Sequence, residues 1–182
     1  MTDLTPNSVL GGARHDAHGS VLSEATPSAL FLIQPFPGQA ARVTDALISA
    51  YGVPFPGPGE TARTAQVEIR WAGRAQALLF ATNAPGGLGD AAAATDVSDV
   101  YARLLLTGAA GADILARFVP IDLSPSAFPS GATAKTLLNH IPAHVTSLAD
   151  GFEIMVMRSF AHTAFHEIAE AMTRLEARSA IA

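Results

Sequence analysis

The chain contains no cysteine among its 182 residues. That absence excludes disulfide frameworks, thiolate zinc sites, iron–sulfur clusters and thiol nucleophiles together. Lysine is almost as scarce, because Lys135 is the sole lysine and the other basic residues are arginines scattered along the chain. Since no basic cluster exists to neutralise a run of phosphates, we expect no nucleic-acid partner.

Long apolar runs are also missing. No stretch approaches the roughly 18 consecutive apolar residues that a membrane-spanning helix requires. The first residues of the chain, MTDLTPNSVLGG, do not join a basic start to an apolar run, so we expect no signal peptide. The sequence therefore predicts a cytoplasmic protein without a membrane segment.

Charged residues make up only 15% of the chain, and the net charge is -5. Typical soluble domains carry about 25%. One interpretation is that a partner covers part of the surface, since interface cores are depleted in Lys, Glu and Asp. The other is an alanine-rich composition, and the sequence leaves both open.

Hydrophobic periodicity and turn residues divide the chain into an irregular start and a series of short elements. The Gly-, Ser- and Thr-rich residues 1–27 are interpreted as a mobile arm. Gly52 stands where a helix C-terminal cap is expected, and Asp150-Gly151 is a hairpin signal. The predicted elements, in chain order, are strand 29–34, helix 39–51, strand 67–71, a turn at Ala72-Gly73, strand 74–81, short helix 90–94, strand 99–106, helix 109–118, strand 137–145, strand 152–157 and helix 160–177.

This order predicts an α+β fold. The first half follows a split βαβ, ferredoxin-like unit, and the second half repeats a similar pattern. We therefore expect antiparallel or mixed sheets with helices packed on one face. Residues 28–182 form either a single domain or two lobes, 28–95 and 96–182.

The strongest local candidate for chemistry is the pair His162 and His166. Residues four apart share a helix face and could hold zinc, but no third ligand is evident and the second His of an HExxH motif is missing. A solvated or partner-facing pair is the favoured interpretation. Phosphate-binding loops, dinucleotide fingerprints and GxSxG elbows are absent as well, which favours a scaffold or binding role over a catalytic one.

From Asp96 onward the chain carries a series of motifs in a fixed order. These are DVSD, an apolar strand ending in TG, GADILARF, PIDLSPSAFPSG, TLL, DGFEIMV and RSFA. The series, over about residues 96–176, resembles the gamma subunit of heterotetrameric sarcosine oxidase. More distantly it is similar to the folate-binding aminomethyltransferase family of the glycine-cleavage T-protein, and the predicted fold resembles the N-terminal part of that protein.

The resemblance implies membership of a complex of four different subunits. Such a complex oxidises the N-methyl group of sarcosine, giving glycine and a one-carbon unit that passes to tetrahydrofolate or leaves as formaldehyde. FAD, FMN, NAD, zinc and tetrahydrofolate would then be bound by other subunits. The gamma-type chain would be a non-catalytic subunit packed against the largest, alpha-type flavoprotein subunit.

Within this interpretation the motif residues have packing roles rather than catalytic ones. Asp122 and Ser124 are predicted to turn the loop on Pro125, and Ser159 to cap the last helix. Two alternatives remain: a stand-alone folate-binding domain of the T-protein type, and a subunit of a related N-methyl amino-acid dehydrogenase. The motif residues assigned structural roles are Asp96, Ser98, Gly108, Asp122, Phe128, Gly131, Arg158, Ser159 and Phe160.

Overall fold

A computed structural model describes residues 8–26, 28–83 and 85–179. The strands are β1 (Arg14–Ala17), β2 (Ser20–Glu24), β3 (Leu30–Pro35), β4 (Thr61–Arg63), β5 (Glu68–Gly73), β6 (Gln76–Phe80), β7 (Ala92–Asp96), β8 (Tyr101–Thr107), β9 (Thr133–Leu138), β10 (Ile141–Leu148) and β11 (Gly151–Met157). The helices are α1 (Ala40–Tyr51), α2 (Gly111–Leu115) and α3 (Ala161–Ser179), with a 3-10 turn at Arg158–Phe160 before α3.

The chain divides into two compact units. Unit 1 comprises Met1–Pro27, Asp99–Ser130 and Lys135–Ala182, and unit 2 comprises Ser28–Ser98 and Gly131–Ala134. The change from unit 2 to unit 1 after Ser98 lies close to the lobe boundary predicted at residue 95. The sequence did not indicate that the N-terminal residues join unit 1.

Unit 1 is built on a six-stranded sheet in the order β1-β2-β8-β11-β10-β9. Antiparallel pairing places the inward side chains of β8 and β11 opposite each other, as in Leu104 with Ile154. Both side chains are fully buried, and so are Ile168 and Met172 of α3. The amphipathic stripe of the last helix thus packs in the apolar core, as its spacing requires.

Unit 2 is a five-stranded antiparallel sheet in the order β4-β5-β6-β3-β7. Helix α1 buries Val43 and Leu47 in the same apolar cluster as Ile33 and Leu79. Gly52 ends α1 in the left-handed conformation, with φ 72°, and its N–H donates to the Ile48 carbonyl, as expected of a glycine cap. Two antiparallel sheets with three helices confirm the predicted α+β class.

The interpretation of residues 1–27 as a mobile arm is wrong for the part that the structure describes. Strands β1 and β2 form an antiparallel hairpin, and β2 pairs with β8 from Val21–Thr107 to Glu24–Leu104. Leu22 is fully buried. The polar composition misled because the strands are short and their pairing partner lies far along the chain.

The short helix predicted at 90–94 is a strand instead. Strand β7 pairs antiparallel with β3, with Ile33 opposite Ala94. Alanine has the highest intrinsic helix propensity, but propensity is a weak prior that tertiary pairing overrides.

Two turns also differ from the prediction. Residues 137–145 are not one strand, because β9 and β10 meet at Asn139-His140, where Asn139 adopts φ 51°. Asparagine tolerates this left-handed conformation better than most residues. The β5–β6 turn lies at Arg74-Ala75 rather than Ala72-Gly73, and β4 was not predicted at all.

No helix within the described ranges is long and apolar enough to cross a membrane.

Glu24, at the end of β2, organises the segment that precedes the hairpin. Its carboxylate accepts hydrogen bonds from the backbone N–H groups of Val9, Leu10 and Gly12, at 2.9, 3.2 and 3.1 Å, and from the Ser8 hydroxyl. Partial burial opposes ionisation, but these donors together lower the pKa of Glu24 below its usual value. The ionised carboxylate therefore holds residues 8–12 against the hairpin.

We predict that Glu24→Gln destabilises the chain in a pH-dependent way. A carboxyl group with a lowered folded-state pKa contributes stability above its unfolded pKa of about 4.5, and that stability is lost as pH falls through the folded value. Thermal melts should thus show a wild-type advantage at neutral pH that disappears in acid. The control Asp45→Asn, at an exposed position on α1, should show no comparable trend; a difference independent of pH would contradict this account.

Candidate interaction surface

A groove of about 630 Å³ lies in unit 1, where β8 and β10 end and β11 begins. We call it the end groove. Its walls include Thr107 and Gly108 after β8, Asp150 in the β10–β11 turn, and Phe128 from the loop that follows α2. The lining is mostly apolar and backbone, which suits contact with a polypeptide or an apolar group more than acid–base chemistry.

The PIDLSPSAFPSG loop forms one wall through local hydrogen bonds. The Ser124 N–H donates to the Asp122 carboxylate at 2.9 Å, which lowers the pKa of Asp122. One helical turn follows, in which the Phe128 N–H donates to the Ser124 carbonyl at 2.8 Å. Phe128 is buried, at 8% exposed. The loop is thus ordered, with its aromatic side chain anchored in unit 1.

Two glycines allow the close strand approach beside the groove. Gly108, with φ 111°, has no room for a Cβ, which would lie 2.6 Å from the Gly19 carbonyl oxygen. At Gly151, with φ 153°, a Cβ would lie 2.1 Å from the Leu106 carbonyl oxygen. The Gly108 N–H also donates to the Asp150 carbonyl at 2.9 Å. Gly108, singled out in the sequence, therefore lies where the hairpin from β1 to β2 meets β8.

The DVSD motif lies in unit 2, except for its last residue, and joins two strands. The Ser98 hydroxyl donates to the Asp96 carboxylate at 2.6 Å and accepts a hydrogen bond from the Leu30 N–H at 3.0 Å. The bonds from the Ser98 hydroxyl and N–H lower the pKa of Asp96. The motif thus fixes the end of β7 against the start of β3.

The RSFA motif begins at the far end of β11. The Arg158 N–H donates to the Val100 carbonyl at 2.8 Å, and the Arg158 guanidinium lies 3.7 Å from the Asp99 carboxylate. Ser159 lies inside the 3-10 turn rather than at an N-cap position, so its predicted capping role is wrong. The chain therefore enters α3 through that turn.

Three large apolar side chains near this hydrogen bond face solvent. Val100, Met157 and Phe160 are 39%, 45% and 38% exposed. We call them the apolar patch. Their backbones meet at one end of the unit 1 sheet. Met157 pairs with Tyr101, the Arg158 N–H bonds to the Val100 carbonyl, and Phe160 follows Arg158 by two residues. Clustered exposed apolar groups rimmed by polar residues are typical of interaction sites.

The two candidate metal ligands lie on one exposed face of the last helix. His162 and His166 are both exposed on α3, and His166 Nε2 lies 3.2 Å from the Glu170 carboxylate, which also accepts from Arg174. No group of three metal-binding side chains occurs anywhere in residues 8–26, 28–83 and 85–179. Gly131, the remaining motif residue, has φ 90° and lies two residues before the start of β9.

An ion pair that the sequence did not indicate lies on the unit 1 sheet, on the face opposite to Leu104 and Ile154. The Arg103 guanidinium donates two hydrogen bonds to the Glu153 carboxylate, at 3.1 and 2.8 Å. Glu153 is only 2% exposed, although in the sequence it is the charged residue that alternates with the apolar Phe152 and Ile154. Removing one partner of a buried pair costs roughly 3–5 kcal/mol. Only the register of β8 against β11 reveals this pairing.

Comparison with known proteins gives an informative match among solved structures. No protein-family profile and no characterised protein sequence matches the chain. Among solved structures, a chain of heterotetrameric sarcosine oxidase from Corynebacterium sp. U-96, in complex with pyrrole 2-carboxylate, matches with a TM-score of 0.78 and 26% identity, covering 89% of each chain. The regulatory subunit of aspartate kinase from Thermus thermophilus, ligand-free form, covers 86% of this chain and 99% of its own at 12% identity, but its TM-score of 0.43 is too low to support an argument.

The match confirms the resemblance to heterotetrameric sarcosine oxidase that the motifs predicted. Because the aligned region is the same share of both chains, the two chains are also of similar length. The chain is therefore a structural relative of one subunit of that complex.

We predict that Gly151→Ala lowers the free energy of unfolding by about 3 kcal/mol or more, because the new methyl group collides with the Leu106 carbonyl. The matched control is Gly11→Ala in the same unit, where φ is 65° and no atom lies within 4 Å of the added Cβ. That substitution should cost only about 1 kcal/mol from backbone strain. Urea unfolding measures both, and equal losses would show that strand approach is not the constraint.

Proposed function

We propose that this chain is the gamma-type, non-catalytic subunit of a cytoplasmic heterotetrameric sarcosine oxidase. The observation that carries the proposal is the match over 89% of both chains to a chain of that heterotetramer. The order of motifs from DVSD to RSFA supports it independently. The similar length of the matched chain favours a subunit over a larger stand-alone folate enzyme.

The proposed lack of catalysis rests on the side chains that line the end groove and on the surroundings of the α3 histidines. The end groove is lined mainly by apolar side chains and backbone. Both histidines of α3 are exposed, and His166 lies 3.2 Å from the Glu170 carboxylate of the same helix. Under this proposal FAD, FMN, NAD, zinc and tetrahydrofolate are bound by the other subunits, and oxidation of the N-methyl group takes place there.

The proposed partner is the large alpha-type flavoprotein subunit, and the apolar patch is its proposed contact. Burying Val100, Met157 and Phe160 removes apolar area from water without stripping charges of their hydration. The neighbouring Arg158 and Asp99 would form the polar rim. The low charge content of the chain fits a surface that a partner covers.

Co-purification tests this function. We expect the tagged chain, expressed with the subunits from its own source, to co-purify with two large flavoproteins and to support sarcosine-dependent oxygen consumption. The chain alone should contain no stoichiometric flavin and show no turnover. Turnover by the isolated, homogeneous chain would refute the proposal.

Within the same preparation, Phe160→Asp tests the apolar patch. Placing a carboxylate at a buried contact should weaken association about tenfold or more, measured as the dissociation constant for the flavoprotein subunits. The matched control is Ile48→Asp on α1, which makes the same change at an exposed apolar side chain of unit 2. Equal effects of the two variants would exclude the patch as the contact.

A further inference from the structure

The two sheets have four edge strands, and three of them carry features that block pairing with another chain. Strand β1 bears the Arg14–Asp16 ion pair, β4 has only three residues and ends in Arg63, and β9 bears Lys135. Natural proteins protect sheet edges with short strands and charged side chains, lysine above all. Strand β7, Ala92–Asp96, has no charged side chain before its last residue.

The hydrogen bonds around β7 define which of its backbone groups face outward. The Phe36 N–H donates to the Ala91 carbonyl at 2.9 Å, and the Val97 N–H donates to the Leu30 carbonyl at 2.8 Å. Because antiparallel ladders alternate, Ala92, Ala94 and Asp96 must point their N–H and C=O groups away from β3. Within the described part of the chain no strand pairs with β7 on that side.

The C-terminal half of β7 is exposed to solvent. Ala94 and Thr95 project to opposite faces of the sheet, and both are exposed. At the other end of the strand, Phe36 is 46% exposed beside Ala91, to whose carbonyl it is bonded. An aromatic side chain beside an open ladder provides an apolar contact for a residue of an added strand.

We propose that β7 is a docking edge that binds an extended segment of a partner subunit as an additional strand of the unit 2 sheet. The proposal rests on the proposed function, since it names a second contact within the same complex. An extended backbone is the ligand whose donors and acceptors match the spacing of the outward groups. Affinity would come from these main-chain bonds, and Phe36 would fix the register.

Charge indicates what kind of segment fits. Asp90 precedes β7 with its side chain 86% exposed, although 3.1 Å from Arg42, and Asp96 ends the strand. A segment with an uncharged centre and a basic residue at its end complements these carboxylates. A second copy of this chain would instead bring its own carboxylates to the edge, on a chain whose net charge is already -5.

The test uses Ala94→Lys, which places on β7 the side chain that protects other edges. We expect the variant to fold normally and to bind the flavoprotein subunits about tenfold more weakly. The control Ala50→Lys adds the same charge at an exposed position on α1 and should bind as the wild type does. A second variant, Ala94→Pro, removes an outward N–H that makes no bond to β3, and it should weaken binding as well.

Amide hydrogen exchange provides a measurement without substitution. The Ala94 N–H should exchange more slowly in the complex than in the isolated chain. Normal binding by both Ala94 variants, with unchanged exchange, would overturn this inference while leaving the proposed function intact. A second result would also overturn it: the wild type forms a homodimer, and Ala94→Lys dissociates that homodimer without weakening binding to the flavoprotein subunits. If the wild type binds no flavoprotein subunit, both proposals fail.

Discussion

The pairing of β8 with β11 is the contact on which unit 1 depends. These two strands are the centre of the six-stranded sheet, with β2 on one side and β10 on the other. Their inward rows, Leu104 and Leu106 against Ile154 and Phe152, are buried, and α3 contacts the same sheet through β1, β2 and β11. The pairing continues to Thr107, the last residue of β8, because its partner Gly151 has no Cβ that would collide with the Leu106 carbonyl.

On their other face, the same two strands carry an ion pair that helps to fix the register of β8 against β11. Arg103 and Glu153 meet diagonally across β8 and β11 and are both largely shielded from water. A slip of one residue would exchange the two faces, leaving both charges without partners among the apolar rows. The pair thus penalises incorrect pairing, even where its net contribution to stability is small.

The sequence was informative wherever structure is decided locally. Helices α1 and α3 and the β10–β11 hairpin follow from periodicity and turn residues within a few positions of one another. The Asp122–Ser124 turn and the order of motifs were likewise visible in the chain. What failed was non-local: β2 and β7 look polar or helical in isolation, and only their pairing with β8 and β3 makes them strands. Neither the burial of Glu153 nor the bond between Arg158 and Val100 can be derived without the pairing of β8 with β11.

The N-terminal hairpin has a practical consequence. Because β2 covers one side of β8, a shortened protein beginning after residue 27 would leave β8 as a terminal strand. Its sequence, YARLLLT, has a high apolar content and a single charge. Such a strand is a ready template for fibrillar or amorphous self-association. Strands β1 and β2 thus protect this side of the sheet from pairing with another chain.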